Sequence, residues 1–218
     1  MHLFKNLSLI CLAGVLGACS TATTFTPAVS GSAGATGGGT YAVTQNGVTR
    51  ALPAPGGTAS GTSIQFWGPS DQKGHMYENA DVVAIAIMDV VTDETFAGIS
   101  GTPSTNVPVS GSGVFTGDFS SVYYRGGTTN NAWNATGAFT TSVSFSSGSV
   151  TGSGTGTFNS SLDVNGTIDG TNFNGTATFA ATEYTGAATV PMTGGFYGVS
   201  TVAGIYQGAD TTGVFWGQ

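Results

Sequence analysis

Charge is scarce in this sequence: Asp, Glu, Lys and Arg make up 7% of it, and only four residues are basic. Setting aside Lys5 in the apolar leader, Arg50, Lys73 and Arg125 face eleven acidic residues, a formal charge of −8 for the remainder. So few cations exclude nucleic acid as a partner, because its phosphates require a basic patch. They also leave nothing to attract an anionic membrane surface. Cysteine is limited to Cys11 and Cys19, so the chain beyond them has no thiol for a disulfide or for a zinc site. Histidine is limited to His2 and His75. A Ser-His-Asp relay would have to use His75, and no Gly-x-Ser-x-Gly elbow accompanies it. Despite 36 glycines there is no phosphate loop and no dinucleotide fingerprint. Catalysis has no visible machinery, and the expectation is a non-enzymatic protein that needs no cofactor.

The start of the chain is an address. Met1 and Lys5 precede an apolar run from Leu7 to Val15, and the small-residue exit Leu16-Gly17-Ala18 leads to Cys19. This is the layout of a secretory signal, and it is too short to span a bilayer, which takes about twenty apolar residues. Leu16-Gly17-Ala18-Cys19 resembles the bacterial lipobox. The resemblance implies a signal peptide over 1–18, cleavage before Cys19, lipid attachment to that cysteine and, because Ser20 rather than Asp follows, an outer-membrane destination. Acyl chains, at about 0.8 kcal/mol per buried methylene, would make the bilayer a lasting partner. Residues 20–40 are almost entirely Ser, Thr, Ala and Gly, so 19–40 reads as a lipidated flexible tether.

The remainder is predicted to be all-β. Thr, Val, Phe and Tyr are plentiful while Lys, Glu, Leu and Gln are scarce, and 39% hydrophobic with 11% aromatic residues is more than a disordered chain carries. Over 41–110 the reading is uncertain, N-terminal strands or a handle-like segment. Gln45-Asn46-Gly47 suggests a hairpin, and Asp81 to Val91 favours a buried strand with a short helix as runner-up. Beyond Gly111 alternation is clear: Phe139, Thr141, Val143 and Phe145 share one face, and Ala138, Thr140, Ser142 and Ser144 the other. A hairpin register can be written, with Ile168 opposite Phe173, Gly166 opposite Gly175, Val164 opposite Ala177 and Leu162 opposite Phe179, the paired glycines leaving room for an aromatic ring. Many short strands with consecutive hairpins predict a small soluble antiparallel up-and-down β-barrel of about eight strands over 111–218.

The order Gly137-Ala138-Phe139, Gly166-Thr167-Ile168-Asp169-Gly170-Thr171-Asn172-Phe173, Gly194-Gly195-Phe196-Tyr197-Gly198, Gly204-Ile205-Tyr206 and Gly213-Val214-Phe215-Trp216-Gly217 resembles the C-terminal eight-stranded barrel of transferrin-binding protein B-like surface lipoproteins. That resemblance covers roughly residues 112–218. It implies a barrel that displays loops to a partner, and it carries over glycines and geometry but no binding residue.

Several residues are candidates for recognition. Tyr123, Tyr124, Arg125 and Trp133 flank the loop Gly126–Asn131, and aromatics with Arg are common interface anchors. A protein or small-molecule ligand is expected there. The alternatives are haem or another small apolar ligand, with His75, Met76, Met192 or a tyrosine as axial ligand, and a structural envelope lipoprotein. Asp163, Asn165 and Asp169 have calcium-ligand chemistry, but the alternation places them on a hydrated outer face.

Overall fold

The computed structural model describes residues 28–58, 65–67, 71–127, 131–182, 184 and 187–218. The expected signal peptide, Cys19 and the expected tether as far as residue 27 lie outside the described residues. Three antiparallel sheets account for nearly everything else. The first is the meander β1 (Gly31–Gly37), β2 (Thr40–Gln45) and β3 (Val48–Leu52). The second has five strands: β4 (Gly57–Thr58), β5 (Gln65–Trp67), β6 (Gln72–Glu78), β7 (Val82–Asp89) and β8 (Glu94–Gly101). The third is a closed barrel of β9 (Ser112–Tyr124), β10 (Ala132–Ser144), β11 (Ser149–Gly156), β12 (Ser161–Asp169), β13 (Asn172–Ala180), β14 (Ala188–Tyr197), β15 (Thr201–Gln207) and β16 (Thr211–Gly217), with β16 pairing back onto β9. No helix among the described residues is long and apolar enough to cross a membrane.

The barrel is the up-and-down architecture that the alternation predicts. Its β12–β13 hairpin has the expected register, Ile168 with Phe173 through Leu162 with Phe179. Inward side chains fill it: Phe119, Tyr123, Phe139, Phe173, Phe179, Tyr206 and Phe215 are all buried in one core. Rings lie over glycines of neighbouring strands, Phe173 over Gly194, Phe215 over Gly204 and Phe139 over Gly152. The Gly166–Gly175 pair departs from expectation. No ring covers it; Met192 is the side chain that would meet a Cβ at Gly166, and the backbone of β12 itself leaves no room for one at Gly175. Outward positions of β10 to β13 are mainly Ser, Thr, Asn and Asp, with alanine the only apolar type, the inverse of the apolar band that a lipid-facing barrel presents.

β7 settles the ambiguous apolar stretch as a strand. It is an interior strand, between β6 and β8, and covered on both faces, which removes the alternation that would have marked it. Ile85 and Ile87 pack with Met76 of the adjacent β6 and with Val43 and Leu52 of the three-stranded sheet. Val82, Ala84 and Ala86 pack with Ala203, Ile205 and Val214 of the barrel wall. The small alanines let sheet and barrel approach closely, and Tyr77 stacks on Trp216 at 4.3 Å with the rings 7° from parallel.

The expected coil does not run to Thr40. Gly31–Gly37 is a strand paired with β2, and Gly31 serves a close backbone crossing, since a Cβ there would collide with the Ala97 carbonyl of β8. β1 lies across β8 so tightly that a Cβ at Gly98 would stand 2.5 Å from the Ser32 carbonyl oxygen. The β2–β3 hairpin turns at Asn46 (φ 51°) and Gly47 (φ 78°), the left-handed pair that Asn-Gly favours.

Candidate binding site

Four barrel connections share one end, here the upper rim: β9–β10, β11–β12, β13–β14 and β15–β16. The β7–β8 turn joins them, with the Tyr124 hydroxyl donating to Asp93 Oδ1 at 3.1 Å and Thr95 Oγ1 to the Gly208 carbonyl at 2.7 Å. The β2–β3 hairpin is drawn in as well. Gln45 hydrogen-bonds Gln207, which also donates to the Thr95 carbonyl at 2.6 Å.

The four candidate residues separate here. Arg125 and Trp133 come together, the guanidinium carbon 4.3 Å from the indole ring, a cation–π stack. The Trp133 indole N–H donates to Asn131 Oδ1 at 2.8 Å, which fixes the ring plane. Tyr123 and Tyr124 are instead core, and this corrects the expectation for them. Consecutive strand residues point to opposite faces, and at this height both faces of β9 are covered. Tyr123 points into the barrel against Phe179 and Tyr184. Tyr124 points out under the five-stranded sheet, among Met88, Val90, Val122 and Ala132. Burial, assisted by the Asp93 hydrogen bond, pushes its ionisation up to about 12, so it is a neutral donor. Thr128–Asn130 of the same loop lie outside the described residues.

Phe158 joins the pair and was not foreseen. It packs edge-on against Trp133 at 5.1 Å, is 46% exposed, and is held at φ 58°, an uncommon conformation for a bulky residue. The signal was available: Thr157-Phe158-Asn159 sets an aromatic in a polar turn between two alternating strands. Tyr184 was also missed. Its hydroxyl donates to Asp210 Oδ1 at 2.8 Å, and burial, assisted by that hydrogen bond, raises its ionisation well above the ordinary tyrosine range.

All three cations of the described residues belong to this end. Arg50 pairs with Glu94 at 2.6 Å and lies 4.9 Å from the centre of the Phe96 ring. Lys73 Nζ donates to the Ala132 carbonyl at 2.5 Å. Asp71, Asp89, Asp93, Glu94 and Asp210 are here too. Between the β2–β3 hairpin and the barrel, Arg50, Asp93, Glu94 and Gln207 line an open groove of about 400 Å³. The upper rim therefore joins mixed charge to partly exposed aromatic surface, while the outer wall of β10–β13 is mainly hydroxyl and amide, its carboxylates being Asp163 and, at the lower end of β12, Asp169.

The proposed axial ligands do not converge. His75 and Met76 are neighbours on β6 and face opposite ways, Met76 into the layer with Val43 and Ile85, His75 toward the barrel beside its strand partner Ala86. Met192 is inside the barrel. Among the described residues no three His, Cys, Asp or Glu side chains are grouped to hold a metal ion.

No family model and no curated protein matches the chain. Its likeness is to solved structures. Transferrin-binding protein B of Haemophilus parasuis Hp5, in a point-mutant form, superposes with a TM-score of 0.52 at 15% identity, covering 81% of this chain and 40% of that one. Isotype 1 transferrin-binding protein B of serogroup B Neisseria meningitidis gives 0.51 at 15% identity, covering 81% and 38%. At such identity the likeness is one of fold, and this chain spans about 40% of the length of the proteins it resembles.

Proposed function

We propose that this chain is a non-enzymatic binding lipoprotein, anchored to the outer membrane by lipid on Cys19, whose upper rim holds a protein partner. The observation that carries this reading is the Arg125–Trp133–Phe158 cluster, a half-buried cation–aromatic stack capped by an exposed phenylalanine, at one end of a molecule whose outer barrel wall is mainly hydroxyl and amide. Interface energy concentrates in Trp, Tyr and Arg side chains that are already rigid before binding, and here the stack and the Asn131 hydrogen bond supply that rigidity. The fold supports the reading by analogy, since the structures it resembles are named for binding transferrin; fold alone does not carry a ligand across, and the partner is proposed only as a protein. The anchor is supported by the Leu-Gly-Ala-Cys motif.

Two experiments test it. Cells grown in labelled palmitate should label the parent and not Cys19→Ala; equal labelling removes the anchor. The unlipidated chain from residue 20, immobilised and exposed to the fluid the cells inhabit, should retain a partner. Trp133→Ala with Phe158→Ala should then weaken retention by about 30-fold or more, the effect of losing one hot spot of about 2 kcal/mol. Thr140→Ala on the outer wall should leave it unchanged. Equal retention by all three proteins would refute the assignment to this rim.

A further inference from the structure

The opposite end of the barrel has a different character. There β10 turns into β11, β12 into β13 and β14 into β15, and segment 102–111 crosses the mouth as a strap. The strap is tied down by Ser104 N–H donating to the Phe196 carbonyl at 2.9 Å and Gly198 N–H donating to the Thr102 carbonyl at 3.0 Å. On one side of it a cavity of about 200 Å³ reaches Phe115, Phe145 and Phe196. On the other a wider groove opens beside Ile168. Three valines stand in solvent around this mouth: Val199 is 99% exposed, Val109 92% and Val114 66%. The charged residues of this end are Glu78, Asp81 and Asp169, with no cation among the described residues.

The described chain also begins near this end. Ala28 N–H donates to Asn174 Oδ1 at 3.0 Å and Val29 N–H to Thr193 Oγ1 at 2.9 Å. Asn174 is the third residue of β13, roughly 7 Å along the strand from its lower end. Cys19 precedes Ala28 by nine residues, a reach of at most about 30 Å even fully extended.

The geometry points to the lower mouth as a membrane-contact face: Val109, Val114 and Val199 rest in the headgroup boundary of an electrically neutral bilayer while lipid on Cys19 holds the molecule there. This rests on the lipidation proposed above. Three valines would hold a free protein to a membrane only weakly. A short tether changes that, because it keeps them at an effective concentration on the order of millimolar at the surface, where a weak apolar contact is occupied. The charge selects the kind of surface, since carboxylates with no cation beside them are repelled by anionic headgroups. A molecule seated this way aims Arg125, Trp133 and Phe158 away from the bilayer, toward an arriving partner.

The test uses the lipidated chain, in which Cys19 is capped and no other thiol remains after signal removal. Val199→Cys, Val109→Cys and, at the upper end, Val91→Cys (the valine being 74% exposed) each take a polarity-sensitive fluorophore and are reconstituted in phosphatidylcholine vesicles. Labels at 199 and 109 should shift to the blue and be quenched at least twofold by a quencher carried on the lipid. The label at 91 should behave as in water, and replacing one third of the lipid with phosphatidylglycerol should reduce the quenching at 199. Palmitate incorporation measured on the same preparation separates the two ideas. Acylated protein whose labels at 199 and 91 are equally aqueous overturns the contact face alone. Protein that carries no acyl chain overturns the anchor and the contact face together.

Discussion

At Gly194 the missing side chain is what the barrel uses. The Phe173 ring occupies the space a Cβ would take, so Gly194→Ala forces ring and strand apart. Overpacking of this kind costs about 1–3 kcal/mol, and denaturant unfolding should show a loss in that range. Phe173→Ala removes the ring itself and should cost about 3–5 kcal/mol. His75 is the residue whose effect depends on pH. It is 1% exposed, its Nδ1 has no hydrogen-bond partner, and burial pushes its pKa from 6.5 down to about 3. The unfolded chain therefore binds a proton below about pH 6.5 that the folded chain refuses until about pH 3. The contribution of His75 is fully present above the unfolded value and is lost as pH falls through that window, at up to about 1.4 kcal/mol per unit. His75→Gln should flatten that limb of the stability profile between pH 6 and 4; an unchanged slope would show that His75 is not its source.

The elements differ in how plainly they could be read from sequence, and the reason is how many faces each one buries. β12 and β13 bury one face, so apolar and polar residues alternate and the register from Ile168–Phe173 to Leu162–Phe179 was legible. The Asn46-Gly47 turn was legible because its backbone conformation favours those residues. β7 buries two faces, which hid its period and left helix as an alternative. β1 was illegible. Gly31, Ser32, Ala33 and Gly34 have the composition of a linker, and only the crossing over β8 reveals that Gly31 has no room for a side chain. Tyr123 and Tyr124 misled for a related reason, since both faces of β9 are covered and neither ring is free. Ala86 gives this layering a test. It touches the barrel wall, so Ala86→Leu should push the five-stranded sheet off Ile205 and Val214 and cost about 1–3 kcal/mol. A leucine accommodated there without loss in thermal unfolding would mean that the close approach of sheet and barrel is not what the small side chain secures.

Taken whole, the molecule is polar along the barrel axis. The cations of the described residues and the Arg125–Trp133 stack gather at the upper rim, the most exposed valines, Val199 and Val109, stand with carboxylates and no cation at the lower mouth, and a mainly hydroxyl and amide wall runs between them over β10–β13. Sequence supplied the residue types for this division but not their grouping, because Arg50, Lys73, Arg125 and Phe158 are brought together only by strands that pair across the fold. Amide hydrogen exchange on the complex with the captured partner tests this directly. Protection should appear over residues 125–133 and 157–160 and be absent from the outer wall of β10–β13. Protection centred on Thr140, Thr151 and Thr176, with the upper-rim loops exchanging as in the free protein, would contradict the account.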